Sequence, residues 1–428
     1  MIKIFLSLFL VILFSGCISK TESLKPNEKA FEEEDAYILF ALRAEELKDY
    51  NSASIIFNSL YEKSDKKEYL YKSLQNDLAA HKNADVISKV NRETDGKIED
   101  FKLIRLKIVA LIGDGKYEEA RVLSIALVEK SKDVNDYVLV SEVYVKQKKY
   151  NTALKYLESA YTKDYNEKIL DRMAIILYVN LQRNKEAIAQ LETHARMHGC
   201  SKMICTRLIG FYSNENNIDG LVSVYLRFYE LEKSDDIAKK IVQIYAYKKE
   251  YIKLMTFLQK SGSDNELLLQ VYINAKNYKS ASKLANDLYL GTGDINYLGQ
   301  SAIFEYESHK NRADKKMQDS VIKKLKEVVS IEKRPLYLNY LGYLLIDHSI
   351  DIKGGMGYIR EALKIEPNSA FYLDSLAWGY YRLGNCKKAY KIISKVKKLD
   401  GGDDPEVLQH VKAIKKCKNK KVKDNKKK

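Results

Sequence analysis

A small or aliphatic residue recurs along this 428-residue chain at intervals close to 34 positions. Between residues 120 and 254 the successive intervals are 33, 34, 34 and 33, at Ala120, Ala153, Ala187, Leu221 and Leu254. Tyrosines follow the same period: three positions earlier at Tyr117, Tyr150 and Tyr251, and nine positions earlier at Tyr144, Tyr178, Tyr212 and Tyr245. A repeat of this length is a supersecondary unit that buries its faces only by stacking on further copies. The period therefore predicts a repeat array.

Each repeat is expected to hold two antiparallel helices. In residues 370–396 apolar positions recur at three-and-four spacing on both sides of a break at Gly384 and Asn385, which predicts two amphipathic helices joined by a tight turn. Ala377 and Ala389 have almost no side chain, so we expect them where the two backbones come closest. Four prolines in the whole chain suit an all-helical protein.

These tyrosine and alanine positions resemble the tetratricopeptide (TPR) repeat over most of residues 34–417. The clearest copies are residues 134–167 and 370–403. The resemblance implies an all-α, right-handed superhelical solenoid of about eleven helical hairpins, closed by a C-terminal capping helix over residues 405–417. The stretches SGSDN and LGTGDIN interrupt the pattern and predict a shortened helix and a bend near residues 259–296.

The last repeats are similar to a narrower group, a family of bacterial TPR lipoproteins. The shared stretches are NYLGY, LDSLAW and DPE followed by a histidine, although that family has glycine at the position of Ala377. The resemblance implies an interaction protein of the cell envelope and supplies no catalytic residue.

Residues 1–16 are predicted to be a signal peptide, since one early lysine precedes an apolar run too short to span a membrane. The stretch LFSGC resembles a bacterial lipoprotein signal, which implies lipidation of Cys17; ordinary signal-peptidase cleavage nearby is the alternative. Ile18 stands where enteric bacteria use aspartate to retain lipoproteins at the inner membrane. Attachment to the outer membrane, facing the periplasm, is therefore favoured, with residues 17–33 as a tether.

The C-terminal end carries much of the net charge of +15. Residues 415–428 contain nine lysines and one aspartate, which together give +8. Residues 418–428 are predicted to be a Lys-rich disordered tail, and contact with anionic lipid or cell-wall polymer is the alternative. Export argues against nucleic acid as the partner of this basic stretch.

Four cysteines remain beside Cys17, and an even number in an exported protein favours disulfides. Cys386 and Cys417 are expected at neighbouring ends of two successive antiparallel helices. Cys200 and Cys205 lie five residues apart around a helix start.

A metal site is the rival interpretation of the second cysteine pair. His194, His198, Cys200 and Cys205 form the pattern HxxxHxCxxxxC, with both histidines on one helical face. His194, however, falls at a repeat position normally packed in the core, and the spacing is not that of a standard zinc motif. No metal site is therefore expected.

Motifs of catalysis and cofactor binding are not supported by their context. GDGK at 113–116 lacks the hydroxyl residue and the glycine spacing of a phosphate loop, and KGGMG at 353–357 follows no predicted strand. Neither GxSxG nor HExxH occurs. The sequence predicts neither an enzyme nor a bound cofactor.

A partner-binding groove is the remaining candidate site. Because the first helix of each TPR repeat lines the concave face, the resemblance places six residues of the last two repeats there: Asn339, Tyr343, Asp374, Trp378, Tyr381 and Arg382. Aromatic residues with arginine are common anchors of protein interfaces. The alternative for Trp378 is packing against the neighbouring repeat.

The sequence thus favours an outer-membrane-anchored TPR lipoprotein that acts as a scaffold for envelope proteins. Two alternatives remain open at this point: an accessory subunit that activates a cell-wall synthase or an outer-membrane assembly machine, and a binder of cell-wall glycan.

Overall fold

The computed structural model describes residues 29–425, with side chains to Cys417. Throughout this range the regular elements are helices, and no strand is present among them. The chain forms two compact units that divide between Asn217 and Ile218. The prediction of an all-α, TPR-type chain of paired helices is confirmed.

The first unit contains five hairpins followed by a single helix. Its helices are α1 Glu34–Glu46, α2 Tyr50–Ser64, α3 Lys67–Ala79, α4 Asn83–Thr94, α5 Phe101–Gly113, α6 Tyr117–Ser131, α7 Val134–Lys146, α8 Tyr150–Asp164, α9 Glu167–Ile175, α10 Asn184–His198 and α11 Lys202–Asn214.

The second unit starts with one helix, continues with five hairpins and ends with the capping helix. Its helices are α12 Ile218–Leu231, α13 Asp235–Tyr247, α14 Tyr251–Ser261, α15 Asn265–Asn274, α16 Tyr278–Thr292, α17 Ile295–Ser308, α18 Lys315–Ile331, α19 Pro335–Asp347, α20 Ile352–Ile365, α21 Ala370–Arg382, α22 Cys386–Val396 and α23 Pro405–Asn425.

The tight turns inside the hairpins use one backbone device. A residue in the left-handed conformation stands two positions before the second helix, as at Lys48, Lys148 and Gly384. The next residue often caps that helix: the side chain of Asp49 accepts from Ser52 N, and that of Asn385 accepts from Lys388 N. This arrangement reverses the chain in three residues and makes the two helices antiparallel.

Small residues mark the closest helix contacts, as the period predicts. Ala153, Ala377 and Ala389 are fully buried. At the α19–α20 contact the residues are Gly342 and Gly355, and a methyl group added to Gly355 would lie 2.6 Å from the Gly342 carbonyl oxygen. The repeated small residue is thus required by backbone proximity.

The structure differs from the sequence prediction at two places. α9 has 9 residues and continues through a five-residue π turn, Ile176–Asn180, whereas the equivalent α7 has 13 residues; the wide turn absorbs one extra residue. α23 runs to Asn425 and not to 417, because the lysine-rich stretch contains neither proline nor glycine and lysine is a good helix former. The part of the tail from 418 to 425 is therefore helical and not disordered.

The predicted shortening after Leu254 is present, since α14 has 11 residues and α15 has 10. The bend expected near 259–296 remains a prediction. The signal peptide and Cys17 lie outside the described residues. Between residues 29 and 425, no helix combines the length and apolar character needed to cross a membrane.

Candidate functional site

The predicted groove lies on α19 and α21, but most of its polar atoms contact the protein itself. Trp378 is half-buried, and its Nε1 donates to Asp347 Oδ1 at 3.0 Å. Its ring stacks on His410 of α23 and on Tyr381, with centroids 4.0 and 4.7 Å away. Arg382 donates to the Asp347 carbonyl oxygen at 2.6 Å. Trp378 and Arg382 therefore tie α21 to its neighbouring helices.

A buried acid–histidine pair attaches the capping helix. Asp374 and His410 are 5% and 6% exposed, and Asp374 Oδ2 lies 2.7 Å from His410 Nδ1. Burial raises the pKa of Asp374, and the hydrogen bond to His410 opposes that rise only in part. The Tyr343 hydroxyl donates to Glu406 of α23, and burial raises the pKa of Tyr343.

The sequence did not indicate that Asp374 and Tyr343 would bond side chains of the capping helix. Asp374 and His410 are 36 residues apart, close to one repeat period, and this offset was the available signal. Asn339 is half-buried, and its Oδ1 is shielded from solvent without a hydrogen-bond partner within residues 29–417. Two of the six groove residues thus have a shielded oxygen without a partner among the described residues: Asn339 Oδ1 and Asp374 Oδ1.

The four paired cysteines lie where disulfides form. Cys386 and Cys417 have Cα atoms 5.8 Å apart and join α22 to α23, although Cys417 lies inside α23 and not at its end. Cys200 and Cys205 have Cα atoms 5.5 Å apart at the start of α11. Each pair forms a disulfide bond in the structure.

The histidines of the rival metal pattern make other contacts. His194 is 3% exposed, and its Nδ1 lies within hydrogen-bond distance of the Tyr161 hydroxyl, at 2.7 Å. Its Nε2 lies 3.4 Å from Glu167 Oε1. Both ring nitrogens of His194 are therefore engaged. In the part of the chain that the structure covers, no group of three His, Cys, Asp or Glu side chains is arranged to hold a metal ion.

Two surface clefts, which sequence analysis missed, occupy equivalent repeat positions. Each lies between two helices that are separated along the chain by one intervening helix. The first, which we call the tyrosine–histidine cleft, lies between α8 and α10 and has a volume of about 440 Å³; its main lining residues are Glu158, Tyr161, Tyr165, Gln190, His194 and His198. Met173 and Met197 also line it.

The second, the lysine cleft, lies between α12 and α14 and has a volume of about 330 Å³. Its lining includes Tyr229, Glu230, Lys233, Lys253, Phe257 and Lys260. Glu230 accepts from both Lys233 and Lys260, at 2.7 and 3.0 Å. The two clefts therefore share their place in the repeat and differ in charge.

Comparison with known proteins finds structural likenesses with low sequence identity and low TM-scores. No family model and no curated protein matches the sequence. Similar solved structures include the APC/C hetero-tetramer Cut9–Hcn1, at 10% identity and a TM-score of 0.40, with 90% of this chain and 97% of that chain covered. Yeast Tom70 is 14% identical with a TM-score of 0.30, covering 91% and 90%. Naa15/Naa10 bound to HypK-THB is 12% identical with a TM-score of 0.28, covering 88% and 65%. At these scores neither partner nor activity transfers to this chain.

Proposed function

We propose that this protein is a protein–protein interaction scaffold of the bacterial cell envelope. The observation that carries the proposal is the pair of open clefts, whose walls come from different hairpins and present aromatic and charged side chains. Clefts with apolar walls and a few polar groups are typical of sites that hold a segment of another molecule. A stack of hairpins repeats such surfaces along its length.

The envelope location rests on the two ends of the chain and on its cysteines. The stretch LFSGC favours lipidation at Cys17, and Ile18 favours the outer membrane, with the scaffold facing the periplasm. Disulfides persist in oxidising compartments, so the Cys386–Cys417 pair is consistent with export. Lysines of the 415–428 stretch are proposed to contact anionic lipid or cell-wall polymer close to the membrane.

Cys17→Ala tests the location. The variant should lose its lipid and its partition into the outer-membrane fraction, because a single apolar anchor is removed. Mass spectrometry of the mature N-terminus and sucrose-gradient fractionation measure both effects. Unchanged mass and unchanged fractionation would contradict the lipoprotein proposal.

Crosslinking in intact cells followed by mass spectrometry tests the scaffold role. The proposal expects envelope proteins among the crosslinked partners, captured by the wild type and lost when the clefts are altered. A stoichiometric cell-wall synthase would identify the protein as an accessory subunit of that enzyme. Binding to isolated sacculi in the absence of any protein partner would point to glycan and contradict the scaffold role.

A further inference from the structure

We propose that the tyrosine–histidine cleft binds a cationic side chain, lysine or arginine, of an extended segment in a partner protein. The inference rests on the proposed scaffold role and adds to it the chemistry of the recognised group. It depends on the register of α8 and α10, on two unpartnered acceptors and on the position of one tyrosine.

Two contacts fix the register of the cleft. Tyr161 bonds His194, and the ring of Tyr165 lies 5.3 Å from that of His198. Each pair is separated by 33 residues, so α8 and α10 run side by side in the same direction. The same offset from Glu158 reaches residue 191, so Glu158 and Gln190 line the cleft at about the same level, one helical turn before the Tyr161–His194 contact.

Glu158 and Gln190 present hydrogen-bond acceptors at this end of the cleft, where Glu186 is paired with Arg183. Glu158 is half-buried and forms no ion pair or hydrogen bond with any other described residue. Gln190 Oε1 is shielded from solvent and has no partner within the residues whose side chains the structure gives. A carboxylate and an unpartnered amide oxygen that line one cleft favour a ligand that carries several N–H donors and a positive charge.

The other end of the cleft presents aromatic faces. The rings of Tyr161 and Tyr165 meet edge to face at 5.5 Å, and His194 and His198 lie 4.7 Å apart. Met173 and Met197 add apolar surface. An alkyl stem packs on such surface, and ring faces attract the cation that it carries.

Tyr165 is held in a conformation that favours glycine. It is the C-cap of α8 with φ 53°; at this position α14 and α16 have Gly262 and Gly293, whereas α2 and α6 have Asp65 and Lys132 in the same conformation. A bulky residue in this region carries backbone strain. Its side chain is 48% exposed, so burial does little to offset the strain. Tyr165 thus presents an exposed ring at the rim of the cleft.

No lysine or arginine among the described residues bonds Glu158 or Gln190 Oε1. Arg183 bonds Glu186 at 2.7 Å, and Arg196 donates to Thr193 at 3.3 Å. No lysine or arginine lines the cleft. The lysine cleft, by contrast, is lined by three lysines and one carboxylate, so it repels the same ligand.

The test uses methyl NMR of the full mature chain, labelled with ¹³C at its methionine methyl groups. Met173 and Met197 report on the tyrosine–histidine cleft, and Met255 on α14 reports near the lysine cleft. Titration with Nα-acetyl-lysine amide should shift the Met173 and Met197 signals saturably and leave Met255 unmoved. Nα-acetyl-norleucine amide keeps the stem and lacks the ammonium group. It should bind at least about 10-fold more weakly, which corresponds to a loss of about 1.4 kcal/mol of binding free energy.

Glu158→Gln provides the decisive variant, because Glu158 has no partner whose loss could unfold the protein. It should weaken binding of Nα-acetyl-lysine amide by about 10-fold, whereas Glu230→Gln in the lysine cleft should leave that binding unchanged. Absence of saturable shifts, equal binding of the norleucine analogue, or an unchanged Glu158→Gln affinity would overturn the inference. None of these outcomes concerns membrane attachment or other surfaces, so the scaffold proposal would be judged separately by crosslinking.

Discussion

Similar residue types line the predicted groove on α19 and α21 and the tyrosine–histidine cleft on α8 and α10. The two regions differ in how many of these side chains already contact other parts of the protein. Both contain aromatic rings, histidine and a carboxylate. In the groove, Trp378 bonds Asp347 and Asp374 bonds His410, so side chains chosen as binding anchors hold helices together. Single oxygens lack a partner in both regions, Asn339 Oδ1 and Asp374 Oδ1 in the groove and Gln190 Oε1 in the cleft, but only in the cleft does a whole carboxylate, that of Glu158, lack one among the described residues. Residue type alone does not separate a packing cluster from a recognition site; the contacts do.

The largest expected difference in stability between the two regions comes from their disulfides. Cys386 and Cys417 are separated by 31 residues beside the groove, and Cys200 and Cys205 by 5 beside the cleft. Because a longer closed loop restricts the unfolded chain more, replacing the first pair by alanine should cost about 3.5 kcal/mol and replacing the second about 2 kcal/mol. Chemical denaturation of both variants measures the difference. A larger loss for the 200–205 pair would contradict it.

The sequence predicted the hairpins and both cysteine pairings, because periodic small residues and helix ends are local properties. It did not predict the clefts, since their walls come from helices one period apart and depend on side-chain register. The sequence did not determine the role of Trp378 for a related reason. Position 378 faces the inner side in the repeat pattern, but only the structure shows that its ring stacks on His410 and Tyr381 and that its N–H donates to Asp347. The π turn after α9 has no sequence signal beyond one extra residue.

Trp378→Ala is expected to destabilise the second unit by about 3 kcal/mol, the lower end for removing a packed aromatic residue, because the side chain is only half-buried. Trp378→Phe keeps the stacking and loses the hydrogen bond to Asp347, so it should cost about 1 kcal/mol. Thermal unfolding distinguishes the two. An unchanged melting temperature for the alanine variant would restore Trp378 as a free binding anchor.

Asp374 makes the groove region sensitive to pH. Burial raises its pKa above the ordinary 3.8, so the folded chain retains this proton to a higher pH than the unfolded chain does. The contribution of Asp374 to the free energy of unfolding therefore falls as pH rises from about 3.8 through its raised pKa, and is constant beyond it. Asp374→Asn should remove this pH dependence. Parallel wild-type and mutant curves over that window would exclude Asp374 as the source.

Tyr165→Gly should have the smallest effect on stability. Loss of the ring contacts with Tyr161 and His198 costs about 1 kcal/mol, and relief of the left-handed strain offsets about the same amount. The net change in unfolding free energy is expected to stay below about 1 kcal/mol. The variant should nevertheless lose much of its response to Nα-acetyl-lysine amide. A stable variant that binds as well as wild type would remove Tyr165 from the recognition site.

Site-specific photocrosslinking in intact cells tests the contrast between groove and cleft most directly. p-Benzoylphenylalanine replaces a tyrosine conservatively at Tyr165 in the cleft and, separately, at Tyr381 in the groove, which is half-buried against Trp378. The account predicts a partner adduct from position 165 that Glu158→Gln abolishes, and no partner adduct from position 381. An adduct from position 381 alone, or one from position 165 that persists in Glu158→Gln, would contradict it.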